Sequence, residues 1–148
     1  MRYKYRAWLK DKKEMVGVTT IDFGNGCVLI DKPYFQKIPE YYGTALLFDQ
    51  IELIEYTGLK DKNGVEIYEG DIVKCEDSTY SFKIGVAEFN DTDVGSCGCC
   101  FDEFFGAGFV IKTVKTKNDD GKYFSMYDLE KCEVIGNIYA NKELLENE

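Results

Sequence analysis

An all-β fold is predicted for this chain by its hydrophobic pattern, its turn residues and the absence of long helical periodicity. Short segments rich in β-branched and aromatic residues are separated by Gly, Asn and Asp at intervals of roughly 8 to 12 residues. Before the C-terminus, no segment repeats its apolar residues with the period of a helix. Because 45% of the 148 residues are apolar, the chain can bury one core, and we expect a single domain over residues 1–148.

The N-terminal portion predicts three strands. Tyr3 to Leu9 alternate apolar with mainly charged residues, which is typical of a strand, and a lysine-rich turn follows. Residues 15–18 and 27–30 predict two further strands, between which Asn25-Gly26 supplies the positive φ angles of a tight hairpin turn.

The next stretch interrupts this pattern. Residues 31–43 contain both prolines of the chain and three tyrosines, so we interpret them as a linker or an irregular excursion. They suggest a subdivision into an N-terminal β portion with its linker, residues 1–43, and a main body, residues 44–148, for which the family resemblance given below implies a barrel core.

The middle of the chain predicts three strands in close succession, at residues 51–56, 65–68 and 71–75. A turn that ends in Asn63-Gly64 separates the first two. Before the third, Gly70 can adopt a backbone conformation that other residues avoid, and the Asp71 carboxylate can accept hydrogen bonds from local backbone N–H groups. We interpret Asp71 as structural and not as a catalytic carboxylate.

The rest of the chain predicts strands at residues 80–89, 104–114 and 132–139. A short C-terminal helix follows, with Asn141 as its N-cap and Glu143 in its first turn, where a carboxylate is favourable.

Charge and the absence of histidine limit the function classes. The chain has 27 acidic and 18 basic residues, a formal net charge of −9, which argues against nucleic acid as a partner. It has no histidine, so His-based triads, proton shuttles and metal sites are excluded. No apolar run approaches the roughly 20 residues of a membrane span, and the charged N-terminus is unlike a signal peptide. We therefore expect a cytoplasmic protein with no membrane association.

Six cysteines are present, and in a reducing compartment we expect them to be thiols. Cys97, Cys99 and Cys100 lie in one glycine-containing loop, where the Cys97 and Cys100 pair has the spacing of zinc ligands. Cys27, Cys75 or Cys132 could complete a four-sulfur site, but no second closely spaced pair exists. We interpret the three as loop thiols and assign no metal; zinc stays open as an alternative.

No catalytic or cofactor site is recognisable. The chain has neither a GxGxxG nor a P-loop motif, and serine or cysteine nucleophiles would lack a histidine base. We therefore expect no enzymatic activity, no catalytic residue and no cofactor. Aromatic clusters at Tyr41-Tyr42 and at Phe101, Phe104, Phe105 and Phe109 predict core packing or, if exposed, an oligomer interface.

Three blocks of sequence resemble the YopX family of phage and prophage proteins. The central block is residues 56–73, YTGLKDKNGVEIYEGDIV. Near the start, Tyr5-Arg6-Ala7-Trp8 followed by Met15 is similar to the family's opening pattern. Near the end, residues 134–139 with Asn141 and Leu144-Leu145 are similar to its closing pattern. The blocks occur in the family's order over nearly the whole chain. Leu9, Lys142 and the cysteine-rich loop depart from it.

The resemblance implies a β-rich fold with an SH3-like barrel core, an N-terminal β extension, an origin in a phage or prophage, and a family without an established molecular activity. It supplies no catalytic residue. Our leading hypothesis is a non-enzymatic accessory protein that acts as a β-barrel protein-interaction module and could self-associate. Two alternatives stay open: a nucleic-acid-associated small barrel, and an acidic decoy of a host nucleic-acid-binding protein.

Overall fold

The computed structural model describes residues 4–30, 45–75, 84–90, 108–113, 123–125 and 131–146. Within them the chain is built from eleven β-strands in two antiparallel sheets, joined by turns and by two short 3-10 helices. This confirms the predicted mainly β fold. The chain comprises two compact units, Met1–Tyr56 and Thr57–Glu148. The subdivision at residue 43 stays a prediction, because the predicted linker lies outside the described residues.

The first unit contains four strands and the beginning of a fifth. They are β1 (Tyr5–Leu9), β2 (Glu14–Asp22), β3 (Cys27–Ile30), β4 (Ala45–Leu47) and β5 (Ile51–Lys60). Their order in the sheet is β4-β3-β2-β1-β5. In the register, Ala7 on the central strand β1 lies opposite Val16 on one side and Leu53 on the other.

The core of this unit follows from the alternation of side chains along its strands. Its buried members come from all five strands: Ala7, Leu9, Val16, Val28, Ile30, Leu46 and Ile51. A 3-10 helix, Phe48–Gln50, connects β4 to β5, and Phe48 packs against this core.

The second unit contains the end of β5 and six further strands: β6 (Glu66–Tyr68), β7 (Asp71–Lys74), β8 (Ile84–Asn90), β9 (Gly108–Thr113), β10 (Tyr123–Ser125) and β11 (Glu133–Asn137). Strand β6 pairs with β5, and the other five form a sheet in the order β10-β9-β8-β7-β11. Its buried core consists of Ile67, Val73, Cys75, Ala87, Ile111 and Cys132.

Three details differ from the sequence-based expectations. Across the residues described, neither sheet closes on itself, so the SH3-like barrel is not confirmed. The C-terminal helix is a single 3-10 turn, Lys142–Leu145, and the Asn141 side chain does not cap it. Instead, Asn141 Oδ1 accepts a hydrogen bond from the Asn137 backbone N–H at 3.3 Å.

The third difference is at Gly58, which lies inside strand β5 although the predicted strand ended at residue 56. Its φ of +90° is compatible with glycine and unfavourable for other residues. Beside it, the buried Thr57 hydroxyl donates to the Ile67 carbonyl at 2.8 Å and accepts from the Leu59 N–H at 3.3 Å. The threonine side chain thus substitutes for regular backbone pairing at this irregular position.

Candidate interaction surface

The β2–β3 turn is held in one conformation by Asp22. Its Oδ1 accepts from the Asn25 backbone N–H at 3.0 Å, and its Oδ2 accepts from the Asn25 side-chain amide at 2.7 Å. These bonds, the side-chain one first, lower the pKa of Asp22 despite the opposing effect of desolvation. Gly26 has a φ of +65°, whereas Asn25 does not have a positive φ. The turn has four residues, 23–26, between the paired Asp22 and Cys27, and the positive φ predicted for Asn25-Gly26 is confirmed at Gly26 and wrong at Asn25.

This turn presents an exposed aromatic side chain. Phe23 is 79% exposed, and its ring meets the edge of the Phe48 ring with centroids 6.1 Å apart. The Phe48 backbone N–H donates to the Gly26 carbonyl at 3.0 Å, which fixes the 3-10 helix against the turn. Leu47, 50% exposed, precedes Phe48. We name Phe23, Leu47 and Phe48 the Phe23 patch.

Charged groups accompany the Phe23 patch. Asp22 and Asp49 are the sequence neighbours of Phe23 and Phe48, and Asp49 is exposed. Lys10 donates to the Asp49 carbonyl at 3.2 Å and forms an ion pair of 3.0 Å with Glu52. Lys10 is thus paired with the Glu52 carboxylate, and Asp22 and Asp49 place one carboxylate next to each of Phe23 and Phe48 in the sequence.

The second unit has an aromatic pair of its own. Phe89 and Phe109 lie opposite each other on β8 and β9, and their rings meet edge to face with centroids 5.2 Å apart. They share a sheet face with the buried Ala87 and Ile111, because side chains two residues apart point the same way. Phe89 is nonetheless 45% exposed, so this pair lies where the core reaches solvent.

The turn before β6 is built around Asp61, which the sequence analysis did not single out. Asp61 is 6% exposed, and its Oδ1 accepts from the backbone N–H groups of Asn63 at 2.8 Å and Val65 at 2.9 Å. Its Oδ2 accepts from the Val134 N–H on β11 at 3.0 Å. Burial raises the pKa of Asp61, but these bonds and the nearby Lys62 charge outweigh it, and the pKa lies below the ordinary 3.8.

Asp61 therefore has a structural role. A carboxylate with a lowered pKa that is occupied by three backbone donors is a poor general acid or base near neutral pH. The contact is reinforced by the Lys62 N–H, which donates to the Cys132 carbonyl at 3.0 Å, and by the ion pair of Lys62 with Glu133 at 3.0 Å. The signal in the sequence was an Asp followed by Asn-Gly, but its long-range partner on β11 could not be found from local spacing.

Asp71 confirms the structural interpretation made from the sequence. It is 4% exposed, and its Oδ2 accepts from the Tyr68 backbone N–H at 2.8 Å. Gly70 before it has a φ of +79°, and its N–H donates to the Ala87 carbonyl at 2.7 Å.

The structure describes three of the six cysteines. Cys27 is half-buried in the first unit, and Cys75 and Cys132 are buried in the core of the second, all as free thiols. The residues Cys97, Cys99 and Cys100 lie outside the described residues, as do Tyr41, Tyr42, Phe101, Phe104 and Phe105. Among the residues placed by the structure, no three Cys, Asp or Glu side chains converge as metal ligands. The zinc alternative that involves the loop cysteines therefore stays open.

The sequence analysis missed the Phe23 patch. Phe23 lies in a recognisable turn, but Leu47 ends β4 and Phe48 follows it, and no pattern indicated this three-residue strand. The pairing of β4 with β3, in which Leu47 lies opposite Cys27, brings these side chains together. The signal that could have revealed the patch was the position of Phe23 close to Asn25-Gly26, because turn residues commonly lie on the surface.

Together these features define an all-β protein with two antiparallel sheets and surface aromatic side chains on ordered turns and strands. The family model described as YopX protein matches residues 4–146, and the chain belongs to the YopX family. Among solved structures, the chain is similar to one titled "Crystal structure of protein EF1440 from Enterococcus faecalis". The two share 25% sequence identity with a TM-score of 0.55, over 98% of this chain and 99% of the other. A search of curated proteins gives no match. No helix in the described ranges is long and apolar enough to cross a membrane.

Proposed function

We propose that this protein is a non-enzymatic, phage- or prophage-encoded accessory protein that binds a protein partner in the bacterial cytoplasm. The observation that carries the proposal is the 79% exposure of Phe23 on a turn that hydrogen bonds hold in place. A large exposed aromatic side chain on a fixed backbone loses little conformational entropy when it is buried at an interface.

The surroundings of the Phe23 patch favour a particular partner chemistry. Phe23 and Leu47 would fill an apolar pocket, and the carboxylates of Asp22 and Asp49 would face basic side chains at its rim. The formal net charge of −9 makes the chain as a whole attract basic protein surfaces and repel phosphate, and it lies in Thr57–Glu148, since Met1–Tyr56 has equal numbers of acidic and basic residues. We therefore propose a partner protein with an apolar pocket bordered by Lys or Arg.

Phe23→Ala is the variant that tests this proposal. Wild type, Phe23→Ala and a Val65→Ala control are tagged and purified from a bacterial host after nuclease treatment. Val65 is a suitable control because it is also an exposed apolar residue, at 45%, but lies in the second unit. Matching circular dichroism spectra and melting temperatures establish that all three are folded.

The expected result is one host protein that wild type and Val65→Ala retain and Phe23→Ala loses. Titration with that purified protein should show a Kd about tenfold or more higher for Phe23→Ala, which corresponds to about 1.4 kcal/mol. Equal affinity for Phe23→Ala and wild type would contradict a role for the Phe23 patch. Recovery of nucleic acid alone would favour a nucleic-acid-associated protein instead.

Self-association is a variant of the same proposal, in which the partner is a second copy of the chain. Sedimentation of wild type and Phe23→Ala distinguishes self-association from binding of a different protein: a dimer that Phe23→Ala dissociates supports a homo-oligomer.

An SH3-like barrel core in the second unit also stays a proposal. An experimental structure with a backbone ladder that joins the outermost strands of its sheet would support it, and an open sheet would contradict it.

A further inference from the structure

Cys75 and Cys132 occupy facing positions in the core of the second unit. Strands β7 and β11 are antiparallel, with Lys74 opposite Glu133 and Val73 opposite Val134. Extending this register by one residue places Cys75, just after β7, opposite Cys132, just before β11. Both cysteines belong to the same hydrophobic cluster as Val73 and Val134, so all four side chains lie on one face.

The backbone bonds of β11 show which kind of pair the two cysteines form. The Val134 N–H donates to Asp61 Oδ2, and the Cys132 carbonyl accepts from the Lys62 N–H. Cys132 and Val134 are alternate residues, so their backbone N–H and C=O groups point to the same side of the strand. That side faces the Asp61 turn and not β7. Cys132 and Cys75 are therefore a non-hydrogen-bonded pair, for which Cα atoms are about 4.5 Å apart in antiparallel sheets. A disulfide requires Cα atoms roughly 4.4 to 6.8 Å apart.

We infer that Cys75 and Cys132 are a reversible dithiol/disulfide pair that covalently links β7 to β11 under oxidising conditions. Hydrogen peroxide is a sufficient oxidant. One thiolate attacks peroxide to give a sulfenic acid, and hydroxide leaves and takes up a proton as water. The second thiol displaces the sulfenic hydroxyl, also lost as water, and the S–S bond forms. In total, two thiols and one peroxide give one disulfide and two waters, and a thiol reductant reverses the change.

Burial controls the rate of this reaction. Cys75 is 3% and Cys132 is 0% exposed, and buried thiols react slowly. The end of β11 next to Cys132, which is its N-terminal end, must therefore separate from the Asp61 turn before peroxide reaches the sulfur atoms. Since the contacts of Asp61 and Lys62 hold this end, loosening them should accelerate oxidation.

Tryptic mapping of the full chain tests the inference directly. Each cysteine follows a lysine, Lys74 and Lys131, so trypsin releases residues 75–83 and residues 132–142 with one cysteine each. Reduced protein is exposed to hydrogen peroxide, free thiols are alkylated, and the digest is analysed by mass spectrometry. We expect these two peptides as one linked species that dithiothreitol separates, and faster accumulation in urea below the unfolding transition.

The linked form should also be more stable, because the bond restricts the unfolded chain. We expect oxidation to raise Tm by about 5 °C or more in wild type and in a Cys27→Ser control, and not in Cys132→Val. Should Cys132→Val fail to fold, the wild-type peptide map decides alone. Sulfinic or sulfonic acids at Cys75 and Cys132 without the linked peptide, or cross-links confined to the other cysteines, would overturn the inference.

Discussion

At the scale of single residues, three buried polar side chains form hydrogen bonds with backbone groups. Asp61, Asp71 and Thr57 are at most 6% exposed, and each bonds to main-chain groups of turns or irregular strand positions. A buried carboxylate is tolerated where several N–H donors satisfy it, because an unpaired buried charge is costly. These residues thus explain the local conformation of the backbone at turns and irregular strand positions.

Asp61→Asn should destabilise the protein by roughly 1 to 3 kcal/mol in urea unfolding at neutral pH. An amide has one acceptor oxygen, so either the Val134 N–H or the pair from Asn63 and Val65 would face an NH₂ group. Asp22→Asn is the matched control: both oxygens of its carboxylate also accept hydrogen bonds, but within an exposed turn. An equal effect of both substitutions would contradict the special role of Asp61.

The same residue predicts an acid dependence. Because the folded pKa of Asp61 lies below 3.8, the ionised form stabilises the fold above that pH. This contribution is lost as the pH falls from about 3.8 through the lower folded pKa. The stability difference between wild type and Asp61→Asn should therefore shrink as unfolding is measured at successively lower pH. A constant difference down to pH values below the folded pKa would contradict this.

At the scale of elements, turns fix which strands meet. The Gly70 N–H donates to Ala87 on β8, and the Gly70 carbonyl accepts from Ile138, just after β11, at 2.9 Å. One turn residue thus connects the β6–β7 turn with two other parts of the second unit. A Cβ at this position would lie 3.2 Å from Ile138 and Tyr139 side-chain atoms.

Gly70→Ala tests this role, with Gly64→Ala as its matched control. Both glycines have positive φ, +79° and +81°, so alanine is strained at either position by about 1 to 3 kcal/mol. Only Gly70 also has close neighbours, since nothing lies within 4 Å of a Cβ at Gly64. Urea unfolding should show a larger loss for Gly70→Ala, by about 1 kcal/mol or more. A larger loss for Gly64→Ala would show that packing around Gly70 is unimportant.

Most strands were predictable because their residues are strongly patterned. Ile67, Ile72 and Val73, apolar residues of the strands predicted at 65–68 and 71–75, are 0% exposed. Strands β4 and β10 were missed because each has three residues, too few for a period to be recognised. In β8 the buried side is occupied by Gly85 and Ala87, small residues that hydrophobic patterning underestimates.

At the scale of the whole molecule, the described residues form two hydrophobic clusters where the length of the chain suggested one core. The members of one cluster lie in Met1–Tyr56 and those of the other in Thr57–Glu148. The boundary falls inside β5, next to Gly58, at a position where no linker composition marks it. The net charge of −9 lies in Thr57–Glu148, which has 19 acidic and 10 basic residues, whereas Met1–Tyr56 has eight of each.

Substitutions in the two clusters should affect different strands. Leu46→Ala and Ile67→Ala each remove a fully buried side chain and should cost about 2 to 5 kcal/mol. In hydrogen exchange, Leu46→Ala should reduce protection mainly in β1, β2 and β3, and Ile67→Ala mainly in β7, β8 and β11. The same pattern of protection loss from both variants would contradict two separate cores.

The sequence by itself determined the β class, the family, the turn glycines and the structural role of Asp71, because each depends on neighbouring residues. Only the tertiary structure decided the contact of Asp61 with β11, the facing positions of Cys75 and Cys132, and the Phe23 patch. These depend on pairing between strands distant in sequence, and a register shift of one residue would move a side chain to the other face. Local pattern carries no information about that choice, whereas packing of the whole unit makes it.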